Sequence, residues 1–170
     1  MNKQILRLAI PNITSNITVP LIGLVDVGLM GHLPNNVYIA SVALGSVIFS
    51  VLFMSFGFLR MSTTGYTAQA YGASNQAEIS LILHRALFIA LGISSIILLL
   101  QLPIAKIGFY LLEGDAFTKS IARDYYNIRI WAAPATLLLY VAMGWFVGMQ
   151  DTRYPMIITI CINLINIGLS

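Results

Sequence analysis

Read for polarity alone, the chain falls into long apolar runs broken by single charges. Charge-free stretches cover residues 8–25, 27–59, 61–77, 86–105, 130–150 and 154–170. A helix needs about 20 mainly apolar residues to cross a bilayer. In lipid, only helices and closed barrels satisfy every backbone polar group. Barrel strands alternate apolar and polar positions, whereas the run Ile96 to Leu100 (IILLL) does not. The pattern therefore predicts an all-α, polytopic transmembrane helix bundle. Helices are expected at about 5–30, 37–71, 77–101, 117–149 and 155–170.

The connections follow from breakers and polar clusters. Turns are expected at Gly31 to Asn36, at Gly72-Ala73-Ser74-Asn75 and at Asp151 to Pro155, with Pro155 suited to a helix start. Residues 103–115 read as an interfacial segment with Gly114 as a break. The N-terminus carries basic residues before an apolar run, as a signal peptide would. Pro11, Asn12, Asn16 and Pro20 interrupt that run, so a retained first helix is expected. The last run reaches Ser170 without a polar flank, which suggests a fragment.

Composition agrees with the pattern. Of 170 residues, 58% are hydrophobic and 9% charged, against about a quarter charged in soluble domains. The nine Lys and Arg residues are scattered, so no basic stripe suits nucleic acid. Lys3, Arg7, Arg60, Arg85 and Arg153 would share one side of the membrane, and Lys106, Lys119 and Arg123 the other. That imbalance favours a cytoplasmic N-terminus. The single cysteine, Cys161, excludes an internal disulfide or a Cys-based zinc cluster and reads as a small packing residue. P-loop, HExxH and GxSxG motifs are missing, so neither ATP hydrolysis nor another enzyme activity is expected.

Candidate chemistry lies in the few polar groups within the apolar runs. Asp26 is the sole acid of the first 77 residues and has Leu24, Val25, Val27, Leu29 and Met30 around it. An ionised Asp in lipid costs roughly 2.5–3.5 kcal/mol on insertion scales. It should face a cavity or a partner, exchange a proton, or bind Na⁺ with neighbouring oxygens. The plainer alternative is an Asp near the outer interface, close to His32. Pro11 and Pro20 each remove a backbone donor and can bend the first helix, statically or as part of gating. Asn163 and Asn166, three apart, share a helix face and could serve a ligand, an ion or an interhelical hydrogen bond. Gly144 with Gly148, and Ala68 with Gly72, are small-residue pairs that permit close helix approach. Met54 and Met61 could line a greasy substrate pocket or face lipid. In Tyr125-Tyr126-Asn127-Ile128-Arg129, the tyrosines could anchor at the interface, or one could turn inward to bind a substrate.

The order of these features resembles the multidrug and toxic compound extrusion (MATE) family, in its DinF-type branch. The resemblance rests on residues 12–32 (NITSNITVPLIGLVDVGLMGH), 58–65 (FLRMSTTG) and 67–72 (TAQAYG). Ile128-Arg129 with Pro134, Gly144-Trp145, Gly148-Met149-Gln150 and residues 163–167 (NLINI) continue it. It implies a twelve-helix exporter of two six-helix lobes, of which this chain supplies most of the N-terminal lobe. Such proteins use no cofactor and exchange H⁺ or Na⁺ for organic, often cationic, compounds across the cell membrane. On the resemblance, Asp26 and Asn166 belong to the cation site, Pro11 bends the first helix and Tyr125 matches a family tyrosine. The family's usual aspartate four residues after Asn166 is replaced by Ser170, so coupling would lean on Asp26 with neutral oxygens, or be altered or lost. Two other readings stand beside the antiporter. One is a lipid-linked precursor flippase, which the acidic first helix disfavours. The other is a non-transporting truncated membrane subunit.

Overall fold

A computed structural model describes residues 37–169, with side chains through Ile165. The expected helix at 5–30, with Pro11, Pro20 and Asp26, and the turn at Gly31 to Asn36 lie outside the described residues. In chain order the helices are α1 (Val37–Ser55), α2 (Phe58–Gly72), α3 (Gln76–Leu99), α4 (Gln101–Leu111) and α5 (Ala116–Arg129). A 3₁₀ turn (Ile130–Ala132), α6 (Ala133–Gly148) and α7 (Arg153–Leu169) complete the series. No strand occurs among the described residues. Three spans are long and apolar enough to cross a membrane: Val37–Gly72, Gln76–Leu99 and Ala116–Gly148.

Two of those spans are broken rods. The continuous helix expected over 37–71 tightens at Phe56-Gly57. There Phe56 N–H donates to Phe53 O, Gly57 N–H to Met54 O and Leu59 N–H to Phe56 O, all three residues back. The second break has a covalent cause. Pro134 has no N–H to give the Ile130 carbonyl, and the Ala133 N–H takes that acceptor instead, in 3₁₀ fashion. The segment expected to be interfacial, residues 103–115, is largely helical. It forms most of α4, which follows α3 after Leu100 alone.

Helix ends are set by local chemistry. The Asn75 side chain accepts from Glu78 N–H at the start of α3 (3.1 Å), and Asp115 accepts from Thr118 N–H at the start of α5 (3.0 Å). α2 and α6 each end in a Schellman motif. Asn75 N–H donates to Ala70 O and Ser74 N–H to Tyr71 O; Asp151 N–H donates to Phe146 O and Gln150 N–H to Val147 O. The left-handed position falls on Ser74 (φ 54°) and Gln150 (φ 60°), not on the nearby Gly72. Within the spans, most hydroxyls donate to the carbonyl one turn back, as Thr63 does to Leu59 O (2.7 Å) and Thr136 to Ala132 O (3.0 Å). Such back-bonds keep serine and threonine satisfied without water.

Packing makes α6 the hub. It lies chiefly along α2 and also along α3, while α5 lies along α1. The α1–α2 and α5–α6 rods run parallel, and α3 returns antiparallel between them. The seam between α6 and α2 is made of small residues. A Cβ added at Gly144 would come within 2.6 Å of the Arg60 carbonyl oxygen, and one at Gly148 within 2.6 Å of Thr67 Cβ. Gly144 and Gly148 thus bring the two backbones together, as their spacing predicts. Ala68 and Gly72 are exposed, and nothing lies within 4 Å of a Cβ added at Gly72. That pair makes no comparable seam among the described residues. Leu137 and Val141 on α6, with Phe49, Tyr126 and Ile130, are buried in the core. Trp145 Nε1–H donates to Ile79 O (3.0 Å), fastening α6 to the start of α3. Cys161, expected to be a packing residue, is exposed.

Candidate functional site

The best-defined polar cluster within the spans is built where α5 meets α1. Gly45 lets the helices close: a Cβ there would sit 2.7 Å from the Tyr125 ring. Tyr125 is half-buried, and its ring meets Phe49 edge-on at 6.3 Å. One turn later on α5, Arg129 donates from Nη1 to the Tyr125 hydroxyl oxygen. The same guanidinium lies over two rings, 5.3 Å from the Phe49 centroid and 5.5 Å from that of Tyr125. Ser46 Oγ approaches the Tyr125 hydroxyl at 3.4 Å. The Tyr125 hydroxyl accepts from Arg129, and its contact with Ser46 can run in either direction. The cluster thus offers hydroxyl groups and a positive charge, held by aromatic faces.

The neighbouring Tyr126 does a different job. It is wholly buried, stacks on Phe49 at 5.2 Å and donates its hydroxyl to Gln101 O (3.1 Å). It ties α5 to the α3–α4 junction instead of anchoring at an interface. The two adjacent tyrosines therefore divide into one at the polar cluster and one in the core.

The other expected site residues lie apart from this cluster. Asn163 on α7 is 5% exposed, and its Nδ2 has no hydrogen-bond partner among the described residues. Thr67 Oγ1, in the α2–α6 seam, is likewise buried without a partner among them. Asn166 lies three residues beyond Asn163 in α7. Met54 and Met61 flank the Phe56-Gly57 break and are 84% and 80% exposed, outside the packing around Tyr125. Asp26, Pro11 and Pro20 lie outside the described residues. No group of three or more His, Cys, Asp or Glu side chains gathers to hold a metal among the described residues.

Sequence reasoning singled out Tyr125 and overlooked Arg129, Ser46 and Phe49. The signal for Arg129 was available, since Tyr125 and Arg129 are four apart on one helix and must share a face. Ser46 is 79 residues from Tyr125 in the chain, and Phe49 is on the same distant helix, so only packing brings them there.

The family model described as MatE matches residues 11–170, nearly the whole chain. The chain belongs to the MatE family. The "DNA damage-inducible protein F" of Escherichia coli is 45% identical to this MatE chain over 168 residues, covering 99% of the chain and 37% of that protein. Two proteins named "Probable multidrug resistance protein NorM", from Listeria monocytogenes and Thermotoga maritima, are each 26% identical over 99% of the chain. It covers 37% and 36% of their lengths. The MatE chain thus spans just over a third of the curated relatives it matches. No solved structure gives a significant match. Family membership and the three long apolar spans together make this a polytopic membrane protein.

Proposed function

We propose that the chain is most of the N-terminal lobe of a secondary active multidrug efflux transporter, exchanging H⁺ or Na⁺ for drug by alternating access. One observation carries the reading: the MatE match runs from residue 11 to residue 170, and relatives aligned over almost all of the chain bear the name of multidrug resistance proteins. The sequence has no nucleotide-binding motif, so the energy source is an ion gradient. The protein sits in the bacterial inner membrane with its N-terminus in the cytoplasm, and a C-terminal lobe completes the transporter.

In this reading Asp26 and Asn166 take the coupling ion. Tyr125, Asn163, Met54 and Met61 face the substrate path, and Pro11 and Pro20 let the first helix bend. Outside, Asp26 gains a proton or cation, which favours the bent helix and weakens drug binding. Inside, the ion leaves and a new substrate is captured. The ion shifts the equilibrium only by its differential affinity for the two states. The substrates are small, organic and cationic or amphipathic, which suits adaptable methionines.

The test is drug efflux from cells expressing the full-length protein. Asp26→Asn should abolish extrusion at unchanged membrane abundance. Full activity in that variant would remove Asp26 from the mechanism.

A further inference from the structure

We infer that the cleft between α4 and α5 binds the phosphate-bearing headgroup of an anionic phospholipid. The cleft is about 600 Å³ and is lined by Lys106 from α4 and by Lys119, Arg123 and Asp124 from α5, with Tyr110 at its edge. Three cations thus face one carboxylate. The ion pair given by the structure among the described residues is Arg85–Glu78, elsewhere in the fold, so no described acid lies within ion-pair distance of the three. The Lys119 stem lies over Gly114, which holds its ammonium near the cleft.

Depth in the membrane decides the occupant. The cleft lies where the span Gln76–Leu99 has ended and the span Ala116–Gly148 begins. α4 has 11 residues, about 16 Å of helix, too short to cross a bilayer. It nonetheless exposes Leu102 and, at the cleft itself, Tyr110, which is 86% exposed, with Phe109 also lining the cleft. Phe117 on α5 adds another exposed apolar side chain beside the cations. A short helix with an exposed leucine, a tyrosine and a lysine belongs at the lipid headgroup level. A free anion in water would have no use for that apolar rim, whereas a lipid would place its acyl chains against it. Arginine and lysine then supply the phosphate contacts, Arg123 through its forked donors. This inference is independent of which ion or drug the protein carries.

The test is native mass spectrometry of the full-length protein in neutral detergent, titrated separately with phosphatidylglycerol and phosphatidylcholine. Phosphatidylglycerol should bind at least about tenfold more tightly, since each Lys or Arg near an anionic surface is worth about fivefold. The variant K106Q/K119Q/R123Q should lose that preference, whereas K106R/K119R/R123K should keep it. If the triple glutamine variant does not fold, each single glutamine variant should weaken phosphatidylglycerol by about fivefold and leave phosphatidylcholine unchanged. Inorganic phosphate at 10 mM, a roughly saturating level for a weak anion site, should leave lipid binding unaltered. An undiminished phosphatidylglycerol preference in the glutamine variants would overturn the inference. So would full displacement of the lipid by phosphate, which would make the cleft a site for free anions.

Discussion

At Ser74 and Gln150 the backbone turns left-handed without glycine, a conformation that costs an L-residue roughly 1–2 kcal/mol. A glycine at either position would avoid that cost but lose more freedom on folding, by about 0.5–1 kcal/mol. Gln150→Gly and Ser74→Gly should therefore each stabilise the protein by about 0.5–1 kcal/mol, read as a higher melting temperature in detergent. Asp115 offers a pH-dependent counterpart. Hydrogen bonds from the Thr118 hydroxyl and backbone hold its carboxyl below the usual carboxylate range. The folded state thus favours the ionised form. Its contribution is complete above the ordinary carboxylate pKa and fades as pH falls through the depressed folded value. Asp115→Asn retains a cap but cannot titrate, so the melting-temperature gap between wild type and variant should narrow on acidification. At this scale the sequence was readable where breakers cluster, as in the turn ending at Asn75, although the Asn75 cap itself was found only in the structure. The turn expected at Gly72 to Asn75 is present, but which of its residues turns left-handed was not legible: Gly72 is the conspicuous breaker, whereas the turn is completed two residues later at Ser74.

Among the helices, the contrast between two small-residue pairs is the most testable feature. Gly144→Ala and Gly148→Ala drive a methyl group into Arg60 O and Thr67, so each should destabilise by about 1–3 kcal/mol. Gly72→Ala meets nothing within 4 Å and should not destabilise the protein. Reversible unfolding in mixed micelles would separate the two classes. Trp145→Phe removes the bond to Ile79 O and should cost about 1 kcal/mol by the same measurement. Helix existence was legible because long apolar runs have few other uses. The two breaks were not. The apolar pattern continues unchanged across Phe56-Gly57, and Pro134 displaces one hydrogen bond without altering hydropathy. The pairing of Gly144 and Gly148 with the Thr63–Thr67 face was also beyond the pattern, which shows that a helix can be approached closely but not by which neighbour.

For the molecule as a whole, the parallel rods and the returning α3 place residues 74 and 150 at one end, and residue 119 at the other. In a Cys161→Ser background, Ser74→Cys and Gln150→Cys should react with an impermeant thiol reagent from the same side of the membrane. Lys119→Cys should react from the opposite side. Labelling of all three from one side would contradict the topology. The chain's membrane character was plain from composition, and its family from ordered motifs. The polar cluster was only half legible: Tyr125 and Arg129 share a helix, but Ser46 and Phe49 reach them through tertiary packing.

The breaks in the two rods carry a mechanical consequence. α1 keeps company with α5 and α2 with α6, giving two storeys that the unbroken α3 joins, its start at Trp145 and its end near Tyr126. The discontinuities at Phe56-Gly57 and Ile130–Ala132 fall at the landing between them. Flexing there would tilt one storey against the other while the Gly144–Gly148 seam above and the Tyr125–Arg129 clasp below each stayed intact.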